Sequence, residues 1–167
     1  RGGRAFMRHT RPDPRRYETT QRLASDSQSG HYAPMPSAFD SDLAVLREWW
    51  AVHSSSVGCE VRGLWFGLAD LVGDDEVARH TMDVAGTPDF DSDDGGDWAC
   101  EYLWEPVDRY LRLDGLGGID QDDRQGAVDH AVALVRELRP WEGDVPGLNG
   151  VGVGFDDGDV VVVWASA

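Results

Sequence analysis

The chain has 167 residues and a formal net charge of −16, a length that suits one domain with a substantial core. Its 15 basic residues are all arginine, which indicates a GC-rich coding sequence. Nucleic acid is disfavoured as a ligand because its phosphates require basic groups. No apolar run approaches the ~20 residues of a membrane-spanning helix, so no membrane partner is expected either.

The charge is unevenly distributed along the chain. Residues 1–37 carry seven arginines and three acidic residues, whereas the other 130 residues carry eight arginines and 28 acidic residues, a net of −20. Residues 1–36 contain too few large apolar side chains to offset their ordering entropy, so we predict a disordered basic leader there. Because the sequence starts with Arg1 and Met35 would also suit a start, a non-native leader and a native basic tail both stay open. Residues 37–167 are predicted to form a single α+β domain.

The two cysteines, Cys59 and Cys100, are too few for a disulfide framework and show no C-x-x-C spacing. The arginine-rich start lacks the 7–15-residue apolar core of a secretory signal. We therefore expect a cytoplasmic, reducing environment.

The first predicted helix covers residues 37–53. Leu43, Leu46 and Trp50 recur at helical spacing on one face. Asp40 or Ser41 could cap its first turn, where an acidic group also interacts favourably with the helix dipole.

Four strands are predicted next, at residues 59–68, 76–85, 97–104 and 109–113. Glycine-containing turns at 73–75 and 86–88 and the glycines of 115–118 separate or follow them. In the third strand, side chains would alternate between an aromatic face with Trp98, Tyr102 and Trp104 and a face with Ala99, Glu101 and Leu103.

A second helix is predicted over residues 122–138, with acidic residues before its first turn and Pro140 after its end. The remaining segment, residues 150–164, reads as a β-hairpin around Asp157-Gly158, a dipeptide that favours a type I′ turn. That turn would place Val151 opposite Trp164 and Val153 opposite Val162. The apolar face of the hairpin would consist of Val151, Val153, Phe155, Val160, Val162 and Trp164.

The resulting element order is α-β-β-β-β-α-β-β. Consecutive strands joined by short turns predict an antiparallel sheet of about six strands, with both helices packed on it.

The loop at residues 89–97 resembles the start of a calcium-binding loop, since acidic residues occupy its positions 1, 3 and 5. Position 6 is Asp94 where glycine is required, and position 12 is Cys100 where glutamate is required. We therefore predict neither a metal site nor a cofactor, and a solvated acidic loop.

The five histidines match no zinc or nucleophile-elbow motif. A nucleophilic pair could still form if folding brought His80 beside Cys59 or Cys100. A small hydrolase or transferase that uses such a pair, or paired carboxylates, is therefore an alternative function. No catalytic residue is assigned.

One combination of residues favours protein binding. An acidic loop lies next to aromatic side chains in the sequence, and acids beside exposed aromatic rings suit a basic protein surface. The alternative is that the rings belong to the core and the acids only favour solubility. The predicted partner-binding residues are Asp89, Asp91, Asp93, Asp94, Asp97, Trp98, Glu101 and Trp104.

Several runs of sequence resemble small acidic proteins of GC-rich bacteria, a mostly uncharacterised group. These runs are GLWFGLADLV, VAGTPDFD, GDWACEYLWEPVDRYLRL, ELRPWEGDVPG and GFDDGD. Similar α+β proteins serve as immunity proteins beside polymorphic toxins, although the helix signature of the SUKH superfamily is not found here. The resemblance spans about residues 43–164 and implies no active-site residues.

Together, these features favour a non-enzymatic protein-binding module. The most concrete hypothesis is an immunity-type inhibitor whose acidic surface occupies the phosphate-binding cleft of a cationic toxin, for example a nuclease. The alternatives are the small enzyme described above and a regulatory or structural domain of a larger polypeptide.

Overall fold

The computed structural model describes residues 36–143 and 145–167. The predicted disordered leader therefore lies outside the described residues, apart from Pro36. The helices are α1 (Ala38–His53), α2 (Asp114–Gly117) and α3 (Arg124–Leu138), with 3₁₀-helices at Ser54–Ser56 and Asp97–Cys100. The strands are β1 (Gly63–Val72), β2 (Ala78–Thr87), β3 (Tyr110–Leu111), β4 (Gly150–Phe155) and β5 (Val161–Ala165). No described helix has the length and apolar character needed to cross a membrane.

The strands form one mixed five-stranded sheet in the order β3-β2-β1-β4-β5. β4 runs parallel to β1, whereas the other neighbours are antiparallel. The α+β class is confirmed, but the prediction of an antiparallel six-stranded sheet with two helices is wrong in detail. The parallel pair arises because the chain leaves the sheet after β3, passes through α3 and re-enters beside β1.

Residues 97–104 do not form the predicted strand. The carboxylate of Asp94 accepts hydrogen bonds from the backbone N–H groups of Gly96 (2.9 Å) and Trp98 (3.0 Å) and so stabilises a 3₁₀ turn. Short acidic side chains compete in this way with strand pairing. At the end of the segment, Trp104 forms an isolated bridge to Gly86 of β2, and the N–H of Leu103 also donates to the Gly86 carbonyl oxygen.

The start of α1 is capped by Ser37, one turn earlier than expected. Ser37 Oγ accepts from the N–H of Asp40 (3.1 Å), and the Asp40 carboxylate accepts from the N–H of Ser37 (3.3 Å). This reciprocal arrangement is a capping box. Asp40 therefore stabilises the first turn from inside the helix and does not act as the cap.

Helix α2 lies where the sequence predicted only a break at glycines. Asp42 of α1 explains it, because its carboxylate accepts from the N–H groups of Gly115 and Leu116, both at 2.9 Å. The other contact of this buried carboxylate is Nε2 of His130 in α3, at 2.9 Å. Asp42 thus ties all three helices together.

The C-terminal hairpin forms, with a different turn from the predicted one. Val151 lies opposite Trp164 as expected, but a bulge shifts the register so that Val153 lies opposite Val161. The connection spans residues 156–160, and neither Asp157 nor Gly158 adopts the positive φ of a type I′ turn. Asp157 instead forms an ion pair with Arg124 of α3.

The sheet has two different faces. One carries large apolar side chains and packs against α1 and α3 to form the main core. Its central residues are Leu64, Phe66 and Leu68 of β1, Met82 and Val84 of β2, and Val151, Val153 and Phe155 of β4.

The opposite face carries fewer side chains, because each of three rows of paired residues contains glycine. Across β2, β1 and β4 the rows are Thr87–Gly63–Gly150, Ala85–Trp65–Gly152 and Asp83–Gly67–Gly154. A second apolar cluster fills part of this face, and it contains Trp65, Trp98, Ala99, Phe90 and Val160.

Candidate functional site

The acidic loop lies on the surface, beside the glycine-rich face of the sheet. The predicted contacts Asp89, Asp91, Asp93, Asp94 and Asp97 are all exposed, as is Glu101. Two of these carboxylates also shape the loop, since Asp91 Oδ1 accepts from the N–H of Asp93 (2.8 Å) and Asp94 caps the following 3₁₀-helix. The loop therefore presents its charges from a defined backbone.

The two predicted tryptophan contacts are placed differently. Trp98 is only 5% exposed and packs edge-to-face on Trp65 and Phe90. Trp104 is half-buried, and its Nε1 donates to Ser56 Oγ at 3.1 Å. The alternative interpretation of the aromatic residues as core therefore holds for Trp98.

A cavity of about 460 Å³ opens next to the acidic loop. Asp97 is the predicted site residue that lines this cavity. The sequence analysis did not assign Trp65, Tyr102, Phe155 or Asp156 to a site. The complete lining consists of Trp65, Gly95, Gly96, Asp97, Ala99, Cys100, Tyr102, Phe155, Asp156, Gly158 and Val160. Chain segments separated by up to 95 positions meet here, so local sequence patterns carry no signal for it.

Glycines of β1 and β4 shape the inner side of this region. A Cβ at Gly154 would lie 3.0 Å from Cη2 of Trp65, and a Cβ at Gly67 would lie 2.7 Å from Nε1 of the same indole. The ring of Trp65 thus lies across two positions that have no side chain. Nε1 of Trp65 has no hydrogen-bond partner among the described residues.

Asp83 is buried beside this indole, on the row that it shares with Gly67 and Gly154. It is 1% exposed, and its Oδ2 accepts from Arg109 Nε at 3.1 Å and also from a terminal nitrogen of that guanidinium. Its Oδ1, which would overlap a Cβ placed on Gly67, has no hydrogen-bond partner in the described part of the chain. Burial raises the pKa of Asp83 above its ordinary value, although Arg109 opposes the shift.

Arg109 connects this buried carboxylate to the surface. Its guanidinium also pairs with Glu105, and it lies 5.1 Å from the ring centre of Tyr102 and 5.0 Å from that of Tyr110. Cation–π contacts of this kind hold aromatic rings in place. Arg109 therefore positions Tyr102, a wall of the cavity, and burial next to Asp83 raises the pKa of the Tyr102 hydroxyl.

The cavity combines aromatic walls with uncompensated negative charge. Asp97 and Asp156 are exposed, and neither forms an ion pair within residues 36–143 and 145–167. Asp156 is also close enough to Asp83 to raise the pKa of that residue. The described residues contain no group of three or more His, Cys, Asp or Glu side chains arranged to hold a metal ion. The chemistry of the site thus suits an organic cation.

The residues of the alternative nucleophilic pair are not brought together. Cys59 and Cys100 are both exposed, whereas the His80 side chain is buried. Nδ1 of His80 lies 2.7 Å from Asp70 Oδ1, and its Nε2 lies 3.1 Å from the carbonyl oxygen of Asp120. Both ring nitrogens are therefore occupied by acceptors, and neither is available to activate a thiol.

A second cavity, of about 540 Å³, lies beside this histidine and includes Arg79, Arg112 and Asp114 in its lining. Arg79 is already engaged there by two hydrogen bonds to the carboxylate of Asp75, at 2.9 and 2.6 Å. That ion pair lowers the pKa of Asp75 well below its usual range. Because both ring nitrogens of His80 are already engaged, this cavity offers no free imidazole base.

Comparison of the chain with protein-family models, curated proteins and solved structures found no match. The candidate site is therefore assigned from the geometry and chemistry of this chain alone.

Proposed function

We propose that this protein is a non-enzymatic binding module that recognises a basic protein partner. In its most concrete form it is an immunity-type inhibitor that neutralises a cationic toxin, such as a nuclease, in the cytoplasm. The observation that carries the proposal is a cavity with aromatic walls beside an exposed acidic loop. Two of its carboxylates, Asp97 and Asp156, form no ion pair with any described residue.

Electrostatics supports a basic partner. Residues 38–167 carry a net charge of −20, and charge of one sign around a cleft attracts partners of the opposite sign. The acidic loop would accelerate association, because long-range attraction acts mainly on the rate of encounter. Its carboxylates would then occupy positions that phosphate groups take in a nuclease.

The test uses the protein encoded by the gene next to this one in its source genome. Association and dissociation rates would be measured by surface plasmon resonance between low and physiological salt. We expect the association rate to fall steeply with salt, since exposed charges farther apart than ~8 Å are screened at physiological ionic strength.

Two matched triple variants distinguish the effect of the acidic loop from the effect of lowering the net charge by the same amount. Asp91, Asp93 and Asp94 would be changed to Asn in one, and Asp74, Asp122 and Asp129 in the other; all six residues are exposed. Asn retains an acceptor oxygen for the loop turns. We expect the loop variant to slow association clearly more than its control. Absence of binding, or equal rates for the two variants, would contradict the proposal.

A further inference from the structure

We propose that the cavity lined by Trp65, Tyr102, Phe155, Asp97 and Asp156 binds the guanidinium group of an arginine side chain from the basic partner. This inference rests on the proposed function and specifies the chemistry by which the partner is recognised.

The walls of the cavity suit a flat cation. Trp65 and Tyr102 contribute aromatic side chains to one space of about 460 Å³, whereas the ring of Phe155 packs in the main core against His80 and Arg124. A guanidinium is planar and more weakly hydrated than an ammonium, so it stacks on aromatic rings and loses less hydration when it enters such a space. The rings of Trp65 and Tyr102 therefore favour an arginine head group over a lysine one.

The acceptors of the cavity are complementary to the donors of the guest. A guanidinium presents five N–H donors and no acceptor. Asp97 and Asp156 offer carboxylates that no cation of the described chain neutralises. Charge-assisted hydrogen bonds to such groups are shorter and stronger than neutral ones.

A buried acceptor behind the wall points in the same direction. Asp83 Oδ1 has no hydrogen-bond partner among the described residues, although the side chain is 1% exposed. It lies over Gly67 together with the indole Nε1 of Trp65. Leaving a buried acceptor unsatisfied costs free energy, and a donor that enters past Trp65 would remove that cost.

The protein already holds one guanidinium in the same manner. Arg109 is bound by the carboxylates of Asp83 and Glu105 and lies over the rings of Tyr102 and Tyr110. Because Arg109 uses Oδ2 of Asp83, Oδ1 stays available. The cavity repeats this combination with Asp97, Asp156 and the rings of Trp65 and Tyr102, and none of the described cations pairs with these two acids.

The binding test uses ethylguanidinium, which reproduces the end of an arginine side chain, and ethylammonium as the lysine counterpart. Each would be titrated into the full chain while ¹H–¹⁵N spectra are recorded. We expect saturable shifts of the Trp65 indole N–H and of the backbone N–H groups at residues 95–97 and 156–158. Ethylguanidinium should bind several-fold more tightly than ethylammonium.

Single variants locate the site. Asp156→Asn and Asp97→Asn should each weaken ethylguanidinium binding about tenfold, the effect expected for losing one hydrogen bond to a charged group. Asp74→Asn is the matched control, because it removes the same charge from an exposed turn outside the cavity lining. Unchanged dispersion of the spectra would establish that each variant is folded.

Three results would overturn the inference: equal affinity for the two cations, equal weakening by Asp74→Asn and Asp156→Asn, or shifts confined to residues outside the cavity. Saturable binding of calcium at the same residues, with no response to ethylguanidinium, would also overturn it. The failure of this inference can be distinguished from the failure of the proposed function. If the neighbouring gene product binds in a salt-dependent way and Asp156→Asn leaves its dissociation rate unchanged, the function stands and the arginine pocket is wrong.

Discussion

The indole of Trp98 lies directly over Gly152, where a Cβ would come within 2.8 Å of Trp98 Cζ2. Gly152 lies opposite Trp65 in the parallel pair of β1 and β4, and Trp65 packs edge-to-face against Trp98. A missing side chain on one strand thus makes room for the ring that anchors the segment after the acidic loop. The position of Asp97 at the cavity follows from this contact.

Gly152→Ala should therefore destabilise the protein by about 1–3 kcal/mol, the cost of overpacking a filled core. The added methyl group would also meet Cγ1 of Val160, at 2.9 Å. The check is urea denaturation followed by tryptophan fluorescence.

Gly158→Ala is the matched control for this change. Its Cβ would lie 3.5 Å from the nearest atom, an ordinary contact, and Gly158 does not have a positive φ. The control should unfold within about 0.5 kcal/mol of the parent. Equal losses for the two variants would show that Trp98 does not fill this position in solution.

Asp42→Ala should cost about 1–3 kcal/mol for each buried donor that it leaves unsatisfied. The change leaves the N–H groups of Gly115 and Leu116 and the Nε2 of His130 without their acceptor. Asp129→Ala, at an exposed position of α3, should change stability by no more than about 0.5 kcal/mol. Calorimetric unfolding of both variants tests this, and a small loss for Asp42→Ala would refute its role as the link between helices.

The raised pKa of Asp83 predicts a specific dependence of the free energy of unfolding on pH. Because its pKa is raised in the folded protein, the folded state holds this proton more tightly than the unfolded chain does. Its contribution to stability is therefore complete below the ordinary aspartate pKa of about 3.9 and is lost as the pH rises through the folded pKa.

Asp83→Asn removes this titration. The free energy of unfolding of the variant, relative to that of the parent, should therefore increase from about pH 4 to pH 7. Urea denaturation of both proteins across this range provides the measurement. A relative stability that falls with pH would mean that pairing with Arg109 outweighs burial.

Cys100 allows a chemical test of the cavity. It is exposed and lines the cavity, whereas Cys59 is exposed but not part of the lining. Alkylation by a bulky maleimide in a Cys59→Ser variant should abolish ethylguanidinium binding, because the adduct fills the space. The same reagent on a Cys100→Ser variant should leave binding intact. Equal binding by both labelled proteins would place the guest elsewhere.

Local patterns in the sequence were sufficient to predict several of the helices and turns. The apolar spacing of Leu43, Leu46 and Trp50 predicted α1, and the acidic start and Pro140 bounded α3 to within two residues. The turn at 73–75 correctly joined β1 to β2. In each case the deciding interactions lie within a few residues of one another, so periodicity and turn chemistry report them directly.

Other features depended on residues far apart in the chain. The alternation of Trp98, Tyr102 and Trp104 looks like a strand, yet Trp98 instead packs over glycines of β1 and β4. Asp42 accepts hydrogen bonds from α2 across more than 70 positions, and Asp83 binds Arg109 across 26. The acidic character, the α+β class and the two long helices could all be read from local residue patterns. The parallel pairing of β1 with β4 and the cavity could not, because both depend on long-range packing that leaves no periodic signal in either segment.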